Sequence, residues 1–478
     1  MMNKQKLYDS VDKNAEKIIA LSDAIWDFSE LSMKEYKSAA YYCDLLEQEG
    51  FQVERKLCGI PTAFSGSFGS GKPRIGILGE FDALSGLDQC PGSTKRESLN
   101  PGGNGQGCGH NLLGAAAFGA ALAVKKAIEA GLLHGTVVFY GCPGEEGCAG
   151  KTFMARDGMF RDLDAALTWH PGDTNEIKVG SSAACMQVEY SFTGISAHAA
   201  DNPHMGRSAL DAVELMHVGI QFLREHMPPN SSIHYSITDA GSVSPNVVQP
   251  AAATVLMVRG ETVRKAKALL ERVNKIAQGA ALMTETSVAM RQIDGTASIL
   301  PNETLERVMY ENMQQVPVPE YTVAEREFAE ALHATYPAAV PGLLSNFNRQ
   351  VWTYANKMTD GGKRAINDFI MPYVPYFAYA PGSTDVGDVS WLTPTAQITT
   401  ATWTSAAPGH SWQNVSIGRT SIAHKGVLQA AKIIAGSAAD LMEQPELLEK
   451  ARAEFDEAAA EGYDCPIGKE VMICGSVM

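Results

Sequence analysis

Thiolate, imidazole and carboxylate together make a ligand set suited to zinc, manganese or cobalt, and this chain places all three where they can meet. Cys108-Gly109-His110 closes a glycine-rich turn (101–109) ahead of an Ala-rich segment. Gly109 adds no side chain, so the two flanking ligands can converge on one point. Glu145-Glu146 follows the apolar run 136–140 and is flanked by Gly144 and Gly147. Adjacent side chains at a strand end point in different directions, so one carboxylate can hold a cation while the other faces a substrate. His170 ends the next apolar run, and His410 lies in a Pro-Gly-His-Ser loop after another. Taken singly, each has a plainer reading: a structural cysteine or histidine, a solvated acidic pair. Jointly they fall at strand ends of one α/β sheet, where such folds place their sites, and that favours a metal centre. A Cys108 nucleophile with a histidine base is the chemical rival. It gives no reason for Glu145, Glu146, His170 and His410 to gather as well.

The elements that must position these residues follow from the apolar periodicity. Helical spacing covers 4–30 and 39–49, and strand-like runs cover 52–57, 63–68 and 73–78. An Ala-rich helix starts at Asn111, and short apolar strands follow at 136–140 and 164–168. This alternation predicts an α/β domain with a largely parallel central sheet. The segment Gly66-x4-Gly71-Lys72 mimics a phosphate loop. Pro73 stands where Ser or Thr should hold magnesium, so a hairpin turn is the better reading. From about residue 185 the pattern changes to strand 185–193, helix 208–227, strands 232–238 and 253–259, helix 262–285 and strand 287–292. That β-α-β-β-α-β order is a ferredoxin-like unit. The expected domains are therefore 1–184 and 298–478 for the catalytic part, with 185–297 inserted. Within the insert, His198 has a turn residue as its plainer reading and Arg259 an exposed strand-end charge. After Pro301 helices resume, 303–376 is mixed and aromatic-rich, α/β character returns at 377–390 and 398–407, and helices end the chain.

At 478 residues the chain exceeds one hydrophobic core. Its 39 basic and 54 acidic side chains give a net charge of −15. That balance disfavours nucleic-acid and anionic-membrane partners, which it would repel. Residues 1–14 carry no apolar signal region, and 112–124 is too short to span a bilayer, which predicts a buried helix. Nine scattered cysteines fit a reducing, cytoplasmic setting.

The chain resembles the M20 metallopeptidases, in particular the amidohydrolase branch that includes auxin-conjugate and N-acyl-amino-acid hydrolases. The resemblance runs over nearly the whole length. It is carried by GEFDALSGL (79–87), GQGCGHNLLG (105–114), FYGCPGEEGCAGKTFM (139–154), DAALTWHP (164–171), AHAADNPHMGRSALDA (197–212), SPNVV (244–248), GSTDVGDVSW (382–391) and GRTSIAHKG (418–426). It implies a zinc-peptidase-like α/β catalytic domain, with a mixed central sheet flanked by helices, and an inserted ferredoxin-like lid that dimerises. It also implies two divalent metal ions (manganese or zinc), with Cys108 bridging, His110 and His170 completing one position and Glu146 and His410 the other. Glu145 would be the general base. His198 would reach across a dimer to steady the oxyanion, and Asn246 and Arg259 would hold the substrate's carbonyl and carboxylate. Many relatives have a His-x-Asp metal motif where this chain has Glu80-Phe81-Asp82, and the resemblance places Glu80 outside the ligand set. The 303–376 segment is longer than in typical relatives.

The expected activity is hydrolysis of N-acyl or N-aroyl amino acids, with p-aminobenzoyl-glutamate the leading substrate. Alternatives are amidase action on auxin conjugates or dipeptides, and a regulatory role within a heteromeric hydrolase. Intact ligands and base argue for an enzyme, as a homodimer or paired with a related M20 subunit. The lid would close about joints near 185 and 297.

Overall fold

The strands Gly135–Gly141 and Ala165–Gly172 read as continuous apolar runs because both faces of their sheet are covered. The structure, a computed structural model, describes residues 3–341, 348–375 and 378–473. Residue 377, where the sequence reading starts the return to α/β, lies outside them, as do 342–347 and 376 of the 303–376 segment. The described chain forms two units. The larger takes in residues up to 181 with 300–380 and 389–463, and the smaller 182–299, 381–388 and the chain from 464 on.

The larger unit carries a seven-stranded mixed sheet. Its order is Gln52–Arg55, Phe64–Ser70, Gly135–Gly141, Arg74–Gly79, Ala165–Gly172, Thr395–Ala401, Glu176–Ile177. The four strands from Gly135–Gly141 to Thr395–Ala401 are parallel, and the outer pairings are antiparallel. The turn at 71–73 is therefore not the hairpin that the sequence predicts. Phe64–Ser70 and Arg74–Gly79 do not pair, because Gly135–Gly141 sits between them. That strand is buried along its whole length and takes the covered middle of the sheet, whereas Phe64–Ser70 ends exposed, next to the sheet edge.

The Ala-rich segment forms the helix His110–Glu129, with Ala15–Phe28 and Ser421–Glu443 packed on it. It is long and apolar enough to cross a bilayer, yet 89% of its apolar window is buried inside the protein. It is a core helix, as its small side chains and the two covering helices require.

The smaller unit has the strand order Ser287–Thr296, Ala184–Thr193, Ala251–Gly260, Ser232–Asp239, all antiparallel. With the helices Ala209–Arg224 and Val263–Thr284 between strands, this is the ferredoxin-like arrangement. Burial alternates along Ala251–Gly260, with Leu256 and Val258 facing the helices.

One buried acid makes the larger unit pH-sensitive. Glu306 is 4% exposed on the helix Glu303–Gln315, and its Oε2 accepts a 2.9 Å bond from the Tyr373 hydroxyl. Burial, with repulsion from Glu454 and Glu303, lifts its pKa from 4.5 to about 7. The folded state then holds a proton that the unfolded chain releases. This stabilisation is present below about pH 4.5 and is lost as pH rises towards 7. Glu306→Gln is expected to flatten that part of the stability profile, gaining up to ~3 kcal/mol at about pH 8. Urea midpoints of both proteins at about pH 4 and about pH 8, on either side of that transition, check it, and an unchanged difference would count against it.

Candidate metal centre

Each group that gathers at the centre follows one of the four adjacent parallel strands. Glu145 and Glu146 come after Gly135–Gly141, and Glu80 and Asp82 after Arg74–Gly79, whose return loop delivers Cys108 and His110. His170 lies near the C-terminal end of the strand Ala165–Gly172, and His410 follows Thr395–Ala401. Gly109 and Gly144, at φ +74° and +71°, adopt the left-handed backbone that starts the helices bearing His110 and Glu145.

The side chains form two three-ligand groups with Cys108 in common: Cys108, His110 and His170, and Cys108, Glu146 and His410. Within each, the ligand atoms lie within 4.8 Å of one another. Cys108 Sγ is 3.4 Å from His170 Nε2, and His410 Nε2 is 3.5 Å from Glu146 Oε2. A third group joins Glu80, His110 and Glu145, with His110 Nε2 3.2 Å from Glu80 Oε2 and 3.9 Å from Glu145 Oε2. The five ligand residues and Glu145 therefore meet in the larger unit.

Hydrogen bonds on the far sides of the ligands fix their orientation. His170 Nδ1 is 2.8 Å from the Pro171 carbonyl, so it carries the proton and leaves the Nε2 lone pair for a cation. Burial, reinforced by His110, lowers the His170 pKa to about 4. His110 Nδ1 is 2.8 Å from Asp82 Oδ1, and Asp82 Oδ2 accepts from Ser32 Oγ and the Glu146 N–H. Glu80 Oε1 pairs at 2.7 Å with the fully buried Lys151. Burial pushes the Cys108 thiol up.

Residues 77–386 match peptidase family M20/M25/M40. The chain belongs to that family. It is 44% identical over 471 residues to one of the component polypeptides of the Escherichia coli (strain K12) p-aminobenzoyl-glutamate hydrolase, covering 97% of each chain. It is 26% identical to the Xaa-Arg dipeptidase of Mus musculus, covering 95% of this chain and 92% of that one. Its fold is shared with a dinuclear metal-binding M20 peptidase of Bacillus subtilis at a TM-score of 0.55 and 17% identity, over 90% of this chain and 99% of that chain.

This M20 protein is a metal-dependent amidohydrolase, and its donors fit two divalent cations. Glu146 Oε1 is buried without a hydrogen-bond partner, and His110 Nε2 and Glu80 Oε2 face each other at 3.2 Å without forming a hydrogen bond. Orphaned lone pairs beside several buried carboxylates are costly unless a cation satisfies them. Cys108, His110 and His170 would hold one ion, and Cys108, Glu146 and His410 the other.

Two contributors to the M20 centre escape the sequence reading. Asp82, two residues after Glu80 on an extended segment, points to the same side and orients His110. Its signal is the i, i+2 spacing at a strand end. Lys151 gives no such signal, since its partner Glu80 is far away in sequence. The 303–376 segment meets the loop that carries His410. Tyr336 Oη bonds Thr404 Oγ1 and the Ser405 carbonyl at 2.7 and 2.9 Å, and Gln413 Nε2 bonds Thr335 Oγ1 at 3.0 Å.

His198, Asn246 and Arg259 lie in the smaller unit. His198 is half exposed, and its Nδ1 accepts from the Ala200 and Asp201 N–H groups at 3.2 and 3.1 Å. That leaves the proton on Nε2, which is available as a donor. Asn246 is exposed, and its carbonyl accepts from the Ala199 N–H at 3.0 Å, joining its loop to that of His198. Arg259 contacts Ser383 Oγ, His234 Nδ1 and Met257 Sδ, with no carboxylate in ion-pair range among the described residues.

Proposed function

We propose that the protein hydrolyses the amide bond of N-acyl or N-aroyl amino acids, with p-aminobenzoyl-glutamate its substrate. The observation that carries this reading is the shared-cysteine pair of ligand groups with Glu145 beside them, in a chain 44% identical to the Escherichia coli protein.

When bound, the two cations would polarise the amide carbonyl and acidify water. Glu145, outside both ligand groups that contain Cys108, takes the proton from the attacking water and returns it to the leaving nitrogen. His198 donates its Nε2–H to the developing oxyanion, a contribution of about a hundred- to a thousandfold where such donors are removed. Asn246 binds the substrate carbonyl. Arg259, a guanidinium without an acidic partner among the described residues, takes the α-carboxylate in bidentate fashion. Arg259→Ala is expected to raise KM for p-aminobenzoyl-glutamate roughly tenfold or more with little change in kcat, since it removes ground-state binding. Steady-state kinetics checks it; an unchanged KM would remove Arg259 from the site.

A dimer through the smaller unit accompanies this reading, with that unit as lid and His198 serving a partner's centre. Ser232–Asp239 is an edge strand with Tyr235 and Ile237 exposed, and Val218 and Phe222 are exposed on the helix Ala209–Arg224. An unpaired edge with apolar residues suits a second copy or a related M20 protein. A purely regulatory role is disfavoured, because a regulator has no need of the full ligand set. A reducing cytoplasmic setting belongs to the same reading, in line with nine scattered cysteines. Competition between p-aminobenzoyl-glutamate, an auxin conjugate and a dipeptide with C-terminal Arg tests the substrate class. Preference for either of the latter would overturn the assignment.

A further inference from the structure

Cys108 and His410 lie on different loops, so the position they share with Glu146 exists only if those loops hold a fixed spacing. The structure shows one side chain that spans them. Asn414 is fully buried on the helix Trp412–Ile417, and its Nδ2 donates both protons, one to the Gly107 carbonyl and one to the Pro408 carbonyl, each at 3.3 Å. Gly107 is joined to Cys108, and Pro408 stands two residues before His410. Asn414 is itself held, since its backbone N–H meets Ser411 Oγ at 3.4 Å.

The loops are packed as closely as glycine allows. A Cβ added to Gly107 would lie 2.7 Å from Leu87 Cδ1 and 3.5 Å from His410 Cα, and one on Gly105 would lie 3.1 Å from Val415 Cγ2. The His410 loop also carries conformational cost. Ala406 and His410 both have left-handed backbones, at φ +53° and +52°, without being glycine. Such residues persist only where their surroundings over-determine them, and the Pro408 carbonyl gripped by Asn414 is one of the anchors. His410 itself is more than half exposed, so little packing on its ring would otherwise aim it.

We propose that Asn414 is a positioning residue for the second cation. By fixing the Gly107–Pro408 separation it sets the affinity of the Cys108–Glu146–His410 position, and it leaves the Cys108–His110–His170 position intact. The first position does not need it, because Cys108 shares one short turn with His110, and His110 and His170 are oriented from other elements, by Asp82 and by the Pro171 carbonyl. This inference rests on the two-cation reading above.

The test is a cobalt(II) titration of the chelator-treated full-length protein by equilibrium dialysis, for the natural chain and Asn414→Leu, which keeps the volume and loses both hydrogen bonds. The natural chain is expected to bind two ions. Asn414→Leu is expected to bind the first with unchanged affinity and the second about ten- to a hundredfold more weakly, the usual cost of losing a group that orients a ligand. Two ions bound at natural affinity would overturn the proposal, and so would equal weakening of both, which would mark Asn414 as a general fold contact. Should Asn414→Leu fail to fold, Asn414→Ser retains one donor, and a selective, smaller loss at the second ion is expected. A natural chain binding fewer than two ions would instead defeat the two-cation reading, a separate result.

Discussion

Glu145→Gln is expected to lose about two to four orders of magnitude in kcat while still binding two cations. General acid–base groups contribute on that scale, and the substitution keeps the shape of the side chain while removing its basicity. The geometry separates its role from that of its neighbour. Glu146 lies with Cys108 and His410, whereas Glu145 belongs only to the group with Glu80 and His110, and its Oε2 stands 3.9 Å from His110 Nε2. A carboxylate close to the ligands without sharing the Cys108 groups is placed to handle protons. Glu146→Gln should behave differently, weakening one cation and lowering activity through that loss. Metal counting alongside turnover separates the two variants. Near-natural kcat in Glu145→Gln would remove the base from the mechanism.

The second large effect is expected at Cys108. Its sulfur belongs to both principal ligand groups, so Cys108→Ala should weaken both cations by more than the roughly hundredfold attached to orienting partners, and turnover should vanish with them. Cys108→Asp offers a carboxylate that can also bridge and should recover part of the metal binding. The cysteine-nucleophile reading makes a contrary forecast: Cys108→Ala would be inactive yet fully metal-loaded. The gathering of Glu146, His170 and His410 around the same sulfur already argues against it, because a nucleophile and its base need no such set.

Much of the centre is legible in the sequence because its parts sit beside local landmarks. Cys108-Gly109-His110 carries its own turn signal, Glu145-Glu146 is bracketed by glycines, and His170 and His410 each follow an apolar run. The smaller sheet is legible for a related reason: β-α-β-β-α-β spacing with alternating burial leaves few ways to pair the strands. Long-range partners are the illegible part. Lys151 meets Glu80, and Tyr336 meets Thr404, only because the sheet and the 303–376 segment bring distant stretches together. Nothing in the local pattern of 63–79 reveals that Gly135–Gly141 will come between its two strands. The pairing is decided by burial of the whole sheet. The smaller unit likewise gathers 381–388 and the chain from 464 onward, stretches too short and irregular to announce a partner.

The most direct test of the central claim is hydrolysis of p-aminobenzoyl-glutamate by the purified chain alone, assayed after chelation and again after adding manganese or zinc. Activity that disappears with the chelator and returns with the metal is the predicted result. Turnover that is indifferent to chelation, or no turnover despite two bound cations, would contradict the account.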